Sequence, residues 1–138
     1  MVDVPRTGLF AVLHAAGKLE SHVESKLSEV GLSLPKLAAL HQLIQAGESL
    51  PLGQLADRLA CVKSNVTQLV DRLEADGLVS RTSDTSDRRS RLAVLTSAGR
   101  EAFVRGNRIR ETAEKELFDA LSPDESGTLL QLLSKLDR

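Results

Sequence analysis

The chain contains no tryptophan and no tyrosine, and its aromatic side chains are limited to Phe10, Phe103 and Phe118 among 138 residues. An interior without large rings must be built from Leu, Val and Ala, which favours amphipathic helices. A single cysteine, Cys61, excludes an intramolecular disulfide framework and any CxxC metal or redox motif. No stretch approaches the roughly 20 apolar residues of a membrane span, and Met1 is not followed by the basic and then apolar segments of a signal peptide. No membrane partner is expected, and the expected location is the cytoplasm. Nucleophile elbow, P-loop, dinucleotide loop and HExxH are all missing, so no catalytic residue, no cofactor and no enzymatic activity are expected. His14 and His22 would stand about 12 Å apart on one helix, too far to share an ion, and no metal site is expected. No segment repeats, and no Pro, Gly and Ser-rich linker divides the chain, so residues 1–138 are read as one domain.

What is present is 41% hydrophobic and 27% charged, a composition that fits an ordinary soluble fold rather than a disordered tail. The formal charge is only -1. Along the chain it is uneven: Arg81 to Arg110 holds eight arginines against Asp84, Asp87 and Glu101. Attraction to phosphate depends on such local density rather than on the total.

Helical spacing runs from about Arg6 to Val30 through Leu9, Phe10, Leu13, Leu19, Val23 and Leu27, and stops at Gly31. Ser33 then introduces a second helix on Leu34, Leu37, Leu40, Leu43 and Ile44, which ends before Gly47. Ser49-Leu50-Pro51 leads into a third, short helix with Leu52, Leu55, Ala56 and Leu59. Ala60, Cys61 and Val62 form a brief connection to a fourth helix, whose inner face is Val66, Leu69, Val70 and Leu73 and whose stop is Gly77. Two short helices so tightly joined suggest a helix-turn-helix. The outer face of the fourth helix carries Lys63, Ser64, Asn65, Thr67, Gln68, Asp71 and Arg72. Segments 78–82 and 91–95 read as two strands, and the polar turn between them, with Arg88 and Arg89, makes a cationic wing. Thr96 caps a long helix reaching about Ala120, and Ser122-Pro123-Asp124-Glu125 is a well-formed start for a last one. Leu129, Leu130, Leu132, Leu133 and Leu136 follow, too many for one small core, so part of them is expected to meet another chain.

This order of elements resembles the MarR family of bacterial transcriptional regulators. Three stretches carry the likeness: Leu55-Ala56-Asp57-Arg58-Leu59; the run from Asn65 to Glu74 with Gly77-Leu78-Val79; and Asp87-Arg88-Arg89 followed by Val94-Leu95-Thr96 and Gly99. The resemblance implies a mainly α fold with a small β-wing, a winged helix-turn-helix at about 48–98 flanked by N- and C-terminal dimerisation helices at about 6–31 and 100–138. It further implies a homodimer that reads double-stranded DNA at a near-palindromic operator, the recognition helix in the major groove and the wing arginine in or beside a minor groove.

Within that frame Asn65 and Gln68 suit bidentate contact with adenine, Ser64 and Thr67 contact with bases or phosphates, and Lys63 contact with phosphate. Arg89 occupies the wing arginine position, where a narrow minor groove attracts a guanidinium, with Asp87 orienting it. Arg88 and Arg91 suit phosphate. Arg72 has two readings, a DNA contact or a tie to the wing through an acidic neighbour. The family often places a serine cap before the recognition helix where this chain has Val62, so the usual cap oxygen is expected to be absent. Cys61 is read as a buried structural thiol. The resemblance also implies a repressor relieved by a small ligand; with no Tyr or Trp, such an effector would be small and hydrophobic. An architectural or protein-docking winged-helix protein without ligand response is the alternative.

Overall fold

The computed structural model describes residues 8–59, 65–83 and 91–137. In chain order it has α1 (Gly8–Ser28), α2 (Leu34–Gln45), β1 (Ser49–Pro51), α3 (Leu52–Arg58), α4 (Val66–Ala75), β2 (Val79–Ser83), β3 (Arg91–Leu95), α5 (Ser97–Asp119) and α6 (Pro123–Leu136). The result is a mostly helical chain with a small antiparallel sheet, as expected for a winged helix.

α2 is the central helix of the core. Ser33 caps it, its hydroxyl oxygen accepting from the Lys36 N–H at 3.3 Å, and Pro35 sits in the first turn, where its missing N–H costs nothing. Leu37, Leu40 and Leu43 recur at helical spacing and are buried, with Leu40 and Leu43 fully so. Leu27 of α1, Leu55 of α3, and Val70 and Leu73 of α4 close around them, also fully buried. Each such leucine contributes on the order of 1.5–3 kcal/mol relative to an exposed one, so an interior nearly without rings is still well supported.

The sheet corrects one expectation. Ser49-Leu50-Pro51 is a strand, not only a lead-in to α3, and it gives the sheet the order β1-β3-β2. Leu50 pairs with Ala93 and Pro51 with Leu92, while on the other side of β3 Val79 pairs with Leu95 and Ser83 with Arg91. β1 is an edge strand, where a proline removes no needed ladder bond. The chain is turned into it by Gly47 and Glu48, both left-handed at φ 85° and 82°. Glu48 is held there by its own backbone: its N–H donates to Leu43 O at 2.7 Å and its carbonyl accepts from Leu95 N–H at 2.8 Å.

α5 leaves the sheet under a Thr96 cap and packs against α1 and α2. Gly99 and Gly106 are buried because its backbone comes close to its neighbours: a methyl on Gly99 would run into the Leu78 carbonyl oxygen, and one on Gly106 would lie 2.7 Å from Leu32 Cδ1. α6 opens with a full capping box between Ser122 and Glu125, yet buries none of its residues. In α1 only Leu27 is buried; Leu9 and Phe10 are each 68% exposed.

Candidate nucleic-acid interface

α4 presents its apolar side, Leu69, Val70 and Leu73, to the core and leaves Asn65, Thr67, Gln68, Asp71 and Arg72 exposed. The split follows from the helical repeat: positions 66, 69, 70 and 73 fall on one face and the polar set on the other.

The described helix begins later than the sequence suggested. Asn65 is its N-cap, with Oδ1 accepting from the Gln68 N–H at 3.3 Å, so the cap oxygen thought to be absent at Val62 is supplied three residues on. Asparagine is among the strongest residues at this position. The cap occupies one side of the Asn65 amide and leaves its NH2 group free to donate outward. Lys63 and Ser64, together with Cys61, lie outside the described residues.

Three ties fix the orientation of α4. At its C-terminal end Gly77 takes a left-handed turn at φ 77°, the Leu78 N–H donates to Leu73 O at 2.9 Å, and the Thr96 hydroxyl donates to Gly77 O at 2.7 Å. From α2, Lys36 Nζ contacts Asp76 Oδ2 at 2.8 Å. From the sheet, Arg81 donates to Asp71 Oδ1, and its backbone N–H donates to Glu74 Oε2 at 3.3 Å.

That third tie is made by Arg81 rather than Arg72, and the wing acids Asp84 and Asp87 lie outside the described residues. The arginine joining β2 to acids on α4 is Arg81; Arg72 is exposed and forms no ion pair among the described residues. Asp71, grouped from sequence with the outer polar face, is engaged by Arg81. Sequence patterning missed Lys36 and Arg81 as supports, since each meets α4 only through the fold.

Arg91 is exposed at the start of β3, opposite Ser83 at the end of β2. The wing residues Asp87, Arg88 and Arg89 lie outside the described residues. Among the described residues, three arginines of the run from 81 to 110 are drawn into ion pairs: Arg81 with Asp71, Arg100 with Glu48, and Arg110 with Glu114 at 2.6 Å within α5.

Away from α4, a cleft of about 280 Å³ opens between α1, α2 and α5, with Leu19, Val23, Leu34 and Leu117 on its walls. His22, Arg110 and Glu114 line it too, and His22 Nε2 lies 3.3 Å from Glu116 Oε2, linking α1 to α5. No three His, Cys, Asp or Glu converge as metal ligands among the described residues, and no helix there is long and apolar enough to cross a membrane.

Comparison with known proteins places this geometry. The MarR family model, described as "MarR family", matches residues 32–90. The uncharacterized HTH-type transcriptional regulator YkoM of Bacillus subtilis is 34% identical over 128 residues, covering 92% of this chain and 82% of the relative. A probable transcriptional regulator from Pseudomonas aeruginosa superposes with a TM-score of 0.80 at 28% identity, covering 92% of this chain and 94% of that one. A MarR family regulator from Streptomyces coelicolor, solved in complex with DNA, has the same fold, with a TM-score of 0.83, 24% identity, and coverage of 99% and 91%.

Proposed function

Since this chain belongs to the MarR family of transcriptional regulators, and is therefore a DNA-binding protein and not an enzyme, we propose that it works as a homodimeric repressor on a near-palindromic operator. The observation that carries this is the outer face of α4: Asn65, Thr67, Gln68 and Arg72 are exposed together on a helix fixed by α2, by the sheet and by its own C-terminal turn. A reading helix must be rigid, because discrimination between base pairs rests on paired hydrogen bonds of fixed geometry.

In this proposal Asn65 and Gln68 face adenine, and Lys63, Ser64 and Thr67 complete the major-groove contacts. Arg89, oriented by Asp87, enters a minor groove. Arg72, Arg88 and Arg91 contact phosphates. The whole chain acts as one domain, with the winged part at about 48–98 between dimerisation helices at about 6–31 and 100–138. A second copy is the occupant of the exposed leucines. Leu130 and Leu136 of α6 are 54% and 70% exposed, and Leu9, Phe10 and Leu13 of α1 are uncovered as well, a surface that favours burial against an identical chain. The effector is a small hydrophobic molecule; Leu19, Val23, Leu34 and Leu117 of the cleft between α1, α2 and α5 support that choice, while His22, Arg110 and Glu114 give the cleft a polar side.

The test is selection of bound duplexes from a randomised pool at about 150 mM salt, where non-specific binding is suppressed. An enriched near-palindrome with half-sites about one turn apart is expected. A folded protein that enriches nothing contradicts operator reading and favours an architectural or protein-docking role.

A further inference from the structure

The first turn of α2 and the outer face of α4 meet across a cleft of about 160 Å³. Ser33, Pro35 and Lys36 line it from one side, and Asn65, Gln68 and Arg72 from the other. None of the described residues lining it is a carboxylate. Its polar side chains all have hydrogens to give. The Ser33 oxygen accepts from the Lys36 N–H, which leaves the Ser33 hydroxyl hydrogen to donate, while the Asn65 and Gln68 amides face bases in the reading above. Lys36 brings an ammonium, and Arg72 a guanidinium with no ion pair among the described residues. Such a set suits an anion with several acceptor oxygens.

We propose that this cleft seats a backbone phosphate of the bound duplex, so that DNA contact extends from the helix-turn-helix onto α2 through Ser33 and Lys36. The inference rests on the DNA-binding reading above. A duplex phosphate is the occupant because three of the lining residues, Asn65, Gln68 and Arg72, belong to the face of α4 that meets DNA. A helix lying in the major groove has a phosphate strand along each edge, so the side of α4 nearest α2 faces one of them. Lys36 is half of an ion pair with Asp76 at 2.8 Å. An ammonium carries three donors; Lys36 gives one to Asp76 and one to the Gly31 carbonyl at 3.5 Å, which leaves the third for a phosphate, while the charge of Asp76 opposes the phosphate. The contact carries no base information and adds to operator and unrelated duplex alike.

The experiment compares the whole chain with Lys36→Gln and Asp76→Asn, measuring affinity for the selected operator and for a scrambled duplex across a range of KCl. Lys36→Gln is expected to weaken both duplexes equally and to flatten the slope of log affinity against log salt by about 0.9 for each protomer bound. Asp76→Asn breaks the same ion pair, yet is expected to strengthen both. If Lys36 only held α2 to α4, both variants would weaken binding together with the slope unchanged, and the proposal would be overturned. In a duplex series with single neutral methylphosphonates, one position per half-site should weaken the wild type clearly more than Lys36→Gln; no such position overturns the proposal. Binding of inorganic phosphate in the cleft, combined with an unchanged salt slope in Lys36→Gln, would assign it to a free anion and overturn the duplex contact. A wild type with no salt-dependent DNA binding removes the DNA-binding reading itself, whereas a wild type that binds and a Lys36→Gln variant of equal slope remove only this site.

Discussion

Arg81 of β2 reaches back across the start of the wing and donates to Asp71 Oδ1 on the outer side of α4. Its side chain is only 17% exposed, and its Nε is buried without a hydrogen-bond partner, 3.9 Å from the nearer Glu74 oxygen. The angle between the wing and the reading helix therefore depends on a charged pair with one partner half in solvent. Arg81→Met is expected to lower operator affinity without changing base preference. A double-mutant cycle with Asp71→Asn, read by urea unfolding, should give a coupling of about 0.5–1 kcal/mol, the range for a partly exposed pair. Zero coupling would make the pair a bystander.

Asn65 combines two duties, capping α4 and offering an amide to a base, and substitution can separate them. Asn65→Ser keeps a cap oxygen and is expected to leave the melting temperature near that of the wild type while relaxing preference at one base pair per half-site. Asn65→Ala should do the same to preference and also destabilise the fold by about 1 kcal/mol. Equal operator preference in all three proteins would remove Asn65 from base reading.

The two buried glycines of α5 differ in what surrounds them. A methyl on Gly99 meets the backbone carbonyl of Leu78, which cannot move without shifting the turn that ends α4. A methyl on Gly106 meets side-chain ends instead, those of Leu32 and Leu37 at 2.7 and 2.8 Å and that of Leu27 at 3.6 Å. Gly99→Ala is expected to cost about 1–3 kcal/mol, and Gly106→Ala less, in thermal or urea melts. The reverse order would show that the start of α5 tolerates displacement.

Leu130 and Leu133 of α6 are 54% and 45% exposed in the single chain. Leu130→Glu combined with Leu133→Glu should convert a dimer into a monomer in sedimentation velocity, because two carboxylates would be buried unpaired at the seam. Deleting 122–138 should abolish dimerisation or folding. A wild type that sediments as a monomer at micromolar concentration contradicts the homodimer directly.

For the wing, Arg89→Ala is expected to weaken operator binding by about 1–3 kcal/mol with the oligomeric state unchanged, as titration by fluorescence anisotropy would record. Arg91→Ala, at the base of the hairpin, should weaken operator and scrambled duplex alike.

Local chemistry explains what was readable from the amino acids alone. The start of α6 was legible because Ser122, Pro123 and Glu125 act on one another within a single turn. The apolar faces of α2 and α4 were legible because helical periodicity is written into neighbouring residues, as was the hairpin, whose second strand spans Arg91–Leu95 as expected. β1 was not, since Ser49-Leu50-Pro51 has no period of its own and becomes a strand only by pairing with Val94, Ala93 and Leu92. The start of α4 was misplaced because a run of polar residues does not say which one stops being solvent-facing helix and becomes the cap. Most of all, Arg81 and Arg100, both in the arginine-rich run, part company in space, one to Asp71 and the other to Glu48. The sequence by itself determined which segments are helices and which sides they turn inward, because those effects act over three or four residues. Which charges remain free to meet DNA was decided only by the tertiary structure, because ion pairs form through space between elements the chain keeps far apart.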